Sequence, residues 1–136
     1  MAVDPKTVLQ TYLASVSAIT TLTSTRIYGP PGLPENAGDI TDIAQTITYF
    51  VISAQGDSDL TNFHHVTFEI NCYGGTPLEA QQLFNTVHAA LHNLYMRTVG
   101  SNKIVGCAEL PGRMDGQDPD NGEWDVVNAQ FEAVMY

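Results

Sequence analysis

The sequence predicts an α+β fold in two layers, a mainly antiparallel sheet with two helices packed on one of its faces. Three observations predict it. Two segments repeat apolar residues at helical spacing, five others have strand character, and those strands follow one another in runs instead of alternating with helices. At 136 residues, with no internal repeat and no linker, the chain reads as one domain spanning residues 1–136.

The first helix starts at Asp4 and Pro5, where the carboxylate can cap free N–H groups and proline at the first helical position loses no hydrogen bond. Val8, Leu9, Tyr12, Leu13 and Val16 then form one apolar face, and the helix is expected to end near the stretch ITTLTST. Arg26 to Tyr28 reads as a short strand. Gly29 to Gln45, rich in glycine, proline and acids, reads as a long exposed loop. TITYFVIS, from Thr46 to Ser53, is a strand covered on both faces or nearly so, and AQGDSDLTN is expected to be a second loop.

Val66, Phe68, Ile70 and Cys72 alternate with polar neighbours, so this strand has one core face and one wet face. Gly74 and Gly75 turn the chain. Thr76, Pro77 and Glu79 then make a capping box, the strongest local signal in the sequence. Leu83, Phe84, Val87, Leu91 and Leu94 are expected to form the buried stripe of the second helix. Lys103–Leu110 and Trp124–Tyr136 read as two further strands joined in an antiparallel hairpin. Their connection, PGRMDGQDPDNGE, forms an acidic tip, and Val127, Ala129, Phe131 and Ala133 face inward.

Composition narrows the function. Hydrophobic residues make up 43% and charged residues 15%, the balance of a folded chain. No apolar run approaches the roughly 20 residues needed to cross a bilayer, and MAVDPKTVLQ lacks the layout of a signal peptide, so synthesis in the cytosol is expected. A net charge of -10 opposes a grip on nucleic-acid phosphates. Cys72 and Cys107 lack metal-ligand spacing and read as small buried hydrophobes.

His88 and His92 stand four apart, a zinc-compatible spacing, but without the HExxH glutamate or a marked third ligand. A solvated polar face shared with Gln81 and Asn85 is expected instead. His64 and His65 are strand neighbours pointing to opposite faces. Asp115, Asp118, Asp120 and Glu123 lack the calcium-loop layout. Nucleophile elbows and phosphate-binding glycine motifs are absent from the sequence. The reading is therefore a protein without catalytic residues, cofactor or metal.

Three patterns together resemble a known family. TVLQTYLASVSAITTLTSTRIYGPPGLPENA is similar to the start of tail-completion and tail-terminator proteins of long-tailed bacteriophages, of the siphovirus type. VTFEINCYGGTPLEAQQLFNTVHAAL resembles their central strand and capped helix, and DVVNAQFEAVMY their closing strand. The resemblance spans nearly the whole chain and brings no catalytic residue with it. It implies a virion protein of the neck and tail, assembled in the host cytoplasm, that forms a homo-oligomeric ring, commonly a hexamer. Such a ring caps the tail tube, ends its polymerisation and meets a neck or head-completion protein, with DNA passing through unbound and no membrane involved.

On that basis Glu35, Asp39 and Asp42 of the first loop, and Asp115, Asp118, Asp120 and Glu123 of the second, are candidates to face the bore or the tube. An acidic lining there would repel phosphates. Arg26, Arg97 and Arg113 are candidates to meet acids across a subunit boundary, although an intrachain surface pair would satisfy them equally. The rival readings are a neighbouring head-to-tail adaptor or stopper and, from another class, a small ligand-binding domain or enzyme.

Overall fold

Helix α1 covers Pro5–Ser15, and Asp4 caps it by accepting from the Lys6 N–H at 3.1 Å and the Thr7 hydroxyl at 2.8 Å. A computed structural model describes residues 4–30, 32–33, 44–58, 61–118 and 124–136, without the side chains of 55–58 and 61–62. The single N-terminal helix that periodicity predicts is broken at Val16, whose backbone is extended, and α2 follows as Ser17–Thr23. Hydroxyls compete for carbonyls here: Ser15 donates to Tyr12 O, and Thr21 to Ser17 O. Among the described residues the fold therefore has three helices where the sequence predicted two.

Strand β1 is Ile27–Tyr28 and pairs in parallel with β2, Thr46–Ser58. This one parallel pair makes the sheet mixed, though mostly antiparallel. β2 forms a hairpin with β3, Thr61–Gly74, so most of the second expected loop is strand. Once the apolar pairs Ile47↔Cys72 and Tyr49↔Ile70 set the register, the ladder carries the polar residues beyond them, with irregularities at Val51/Ser53 and Gly56/Ser58.

α3, Pro77–Leu91, starts with the predicted box: Thr76 Oγ1 accepts from the Glu79 N–H at 3.2 Å, and Glu79 Oε2 accepts from the Gly75 N–H at 3.4 Å. It stops one turn earlier than the apolar stripe suggested. His92 is extended and Asn93 has φ +62, so Leu94 opens strand β4, Leu94–Val99. β4 turns through Gly100 and Ser101 into β5, Asn102–Glu109. The predicted hairpin of the last two strands forms, β5 with β7, Asp125–Met135, and its tip holds an unexpected strand β6, Met114–Gln117.

The sheet order is β1-β2-β3-β7-β5-β4, with β6 on the same side of β7 as β5, opposite the other half of that strand. Val66, Phe68, Ile70 and Cys72 of β3 and Val127, Ala129, Phe131, Ala133 and Met135 of β7 all face the helices, as the alternation predicts. Phe68 stacks on Phe131 at 5.7 Å, beneath Leu83, Phe84, Val87 and Leu91 of α3. Both cysteines are free and buried. The sheet curls, so α1 touches β1 and β2 near one end and β4 at the other. Among the described residues no helix is long and apolar enough to cross a membrane.

Candidate assembly surfaces

The wet face of the sheet carries a row of amides at its centre. Asn71 donates to Thr48 Oγ1 at 3.2 Å, and Asn128 donates to Asn71 Oδ1 at 2.6 Å and to Glu69. Thr48, Asn71 and Asn128 are register partners on β2, β3 and β7, which is why strand period alone aligns them. Beside this row, Tyr73 meets Trp124 edge to face at 5.8 Å, with Leu33 and Val126 packed on them. This end of the outer face is covered from within the chain.

The histidines at the end of α3 do more than line a solvated face. His88 and His92 stack at 4.6 Å between ring centroids, and both are half-buried. His92 Nδ1 accepts the Glu109 N–H at 3.1 Å, and His88 Nε2 lies 3.3 Å from Glu109 Oε1. The end of α3 is thereby latched to β5. Among the described residues no group of three or more His, Cys, Asp or Glu is arranged to hold a metal ion.

Arg113 completes this cluster. Its Nε and NH2 donate to the two Glu109 oxygens at 2.9 and 2.6 Å, and its guanidinium lies 4.3 Å from the Phe84 centroid. The paired Arg113 hydrogen bond holds the Glu109 carboxyl below its usual range and raises Arg113 in turn. Arg97 lies 5.8 Å from the centroid of Tyr12, whose hydroxyl donates to Ala90 O at 2.6 Å and whose pKa burial raises. Arg26 donates to Gln45 O and Leu22 O, both at 3.1 Å, and so ties α2 to the start of β2. All three arginines thus have contacts inside the chain.

Of the loop acids, Asp115 is exposed on β6, whereas Asp118 is buried, its N–H bonded to Trp124 O at 2.8 Å. Glu35, Asp39, Asp42, Asp120 and Glu123 lie outside the described residues.

What the sequence reading missed is the edge strand β4. Tyr95 is 79% exposed and Met96, at φ +50, 45%, consecutive residues at the end of the sheet. The signal was present: Tyr, Thr and Val before a two-residue Gly-Ser turn are hairpin chemistry, and Gly100 takes φ +58 there. No Asp or Glu occurs between Ala80 and Ala108, while Arg97 and Lys103 both fall on this hairpin. In a chain of net charge -10 it is a locally positive, apolar edge.

No family model and no curated protein matches the chain. Among solved structures it is similar to a chain of the "Virion of native gene transfer agent (GTA) particle", with a TM-score of 0.62 and 13% identity over 95% of this chain and 90% of that one. A second solved chain, also 13% identical, gives a TM-score of 0.56 over 96% of this chain and 92% of its own. At this identity the likeness is one of fold.

Proposed function

We propose that the chain is a structural, non-enzymatic virion subunit that forms a ring on the end of a phage-type tail tube, stops its polymerisation and joins it to the head. The observation that carries this reading is the end-to-end likeness of fold to a chain of a virion particle. The motif resemblance of the N-terminal segment, the central strand and capped helix, and the closing strand supports the same family. So does an edge strand with exposed Tyr95 and Met96, since a ring needs a patch that meets a different patch on its neighbour. In this reading the tail-tube protein and a neck or head-completion protein are the partners. The acids of residues 29–45 and 111–123, apart from the buried Asp118, keep passing DNA from sticking by like-charge repulsion.

Light scattering over a concentration series, with negative-stain microscopy of the heaviest fraction, tests the reading. The expected result is rings with a central hole, or a monomer that closes into such rings when mixed with tail tubes and fixes their length. A protein that neither assembles nor caps tubes would overturn it. Binding to a portal-side component in place of tubes would reassign the chain to an adaptor or stopper. Replacing the acids of each segment, Asp118 excepted, by Asn or Gln should slow DNA ejection, and unchanged ejection in both variants would remove the lining role.

A further inference from the structure

The two ends of the sheet differ in what they leave open. At one end, among the described residues, no strand lies beyond β4, so one side of its backbone has no ladder. Proteins that stay monomeric blunt such an edge with lysine or proline. β4 has neither, and its one cation, Arg97, lies over the Tyr12 ring. Tyr95 and Met96 are left exposed.

At the other end, among the described residues, β1 pairs with β2 through Ile47 and Thr48 alone, and a Cβ on Gly32 would come within 3.1 Å of Phe50. From Val51 to Ser58 the outer side of β2 has no strand partner among the described residues. Ile52 is 52% exposed on this stretch.

We infer that the occupant of β4 is a second copy of this chain, whose β2 edge from Val51 to Ser58 docks against Tyr95, Met96 and the acid-free residues 94–108. The inference rests on the ring reading above and gives it a contact. The two patches differ and lie at opposite ends of one sheet, so each copy that uses one presents the other, which is the head-to-tail geometry that closes into rings. Charge favours this edge: two chains of net charge -10 repel over most of their surfaces, least where the acid-free residues 94–108, with Arg97 and Lys103, take part in the contact.

Topology also sets the direction. Four antiparallel pairings separate β2 from β4, so the two strands run the same way. A ring with its axis along the strands brings them together in parallel, whereas a two-fold dimer through β4 alone would be antiparallel.

Two single variants, Tyr95→Cys and Ile52→Cys, one carrying a longer tag, are mixed and treated with a short bismaleimide. Both sites are exposed, so neither change disturbs the core. The native thiols stay silent, because burial raises Cys72 and pushes Cys107 up to about 12. The expected product is a mixed-mass dimer that neither variant gives alone, and Tyr95→Glu should raise the concentration for half assembly roughly tenfold or more. Rings that form without the mixed product, or Tyr95→Cys linking to itself, would overturn this contact and leave the ring standing. Absence of any assembly, in solution or on tubes, would overturn the ring reading and the contact with it.

Discussion

Arg113 covers Phe84: the guanidinium lies 4.3 Å from the ring centroid, held there by a two-pronged bond to Glu109. The arrangement joins the Pro111–Arg113 turn to α3 and β5, where His88 and His92 already meet Glu109. Arg113→Ala should lower stability by about 1–2 kcal/mol, a cation–π contact and a partly exposed ion pair together. Arg113→Lys should recover part of that, since an ammonium cannot match both oxygens. Thermal melts of the three proteins read this as shifts of a few degrees.

Acid should weaken this joint. The Arg113 hydrogen bond, more than any other cause, holds Glu109 below the ordinary glutamate value of roughly 4.3. A depressed folded pKa means stability fully present above that ordinary value and lost as pH falls through the folded one. Melting temperature against pH should therefore drop below pH ~4 more steeply in the parent than in Glu109→Gln. Parallel curves would remove Glu109 from the acid response.

Gly74 leaves no room for a methyl group. A Cβ there would stand 2.6 Å from the Ala80 backbone nitrogen and 2.8 Å from Glu79 Cβ, so the β3–α3 junction would have to move. Gly74→Ala should cost about 1–3 kcal/mol in chemical denaturation. Gly116→Ala, with nothing within 4 Å of the added carbon, serves as the neutral comparison.

The amide row on the outer face, which already meets the Glu69 carboxylate, should not tolerate a second negative charge. Asn128→Ala leaves Asn71 Oδ1 without its donor in a nearly buried position, a loss of about 1–3 kcal/mol. Asn128→Asp replaces the donor with a carboxylate beside Glu69. It should therefore be the less stable variant at neutral pH, recovering toward Asn128→Ala as the acid is protonated. Urea midpoints at two pH values check the order.

Loss of the Thr76 cap is the simplest local test. Thr76→Ala removes the acceptor for the Glu79 N–H and should cost about 1 kcal/mol, with Thr76→Ser close to the parent.

The sequence by itself determined what depends on neighbours along the chain. Alternation placed the inward faces of β3 and β7, Asp4 and Thr76 fixed two helix starts, and the turn chemistry before Trp124 marked a hairpin, because period and capping are settled within a few residues. The tertiary structure decided what depends on distant partners. Leu94 fits the helical stripe of α3 equally well on paper, and only pairing with Cys107 makes it a strand residue. His88 and His92 look solvated until β5 brings Glu109 to them, and β6 forms because the first half of β7 offers it a ladder. Most of all, which strands stand at the ends of the sheet is a property of the whole strand order. Hydrogen-bond partners in a sheet are chosen across long stretches of chain, so Tyr95 and Met96 become an exposed edge only once the strand order is set.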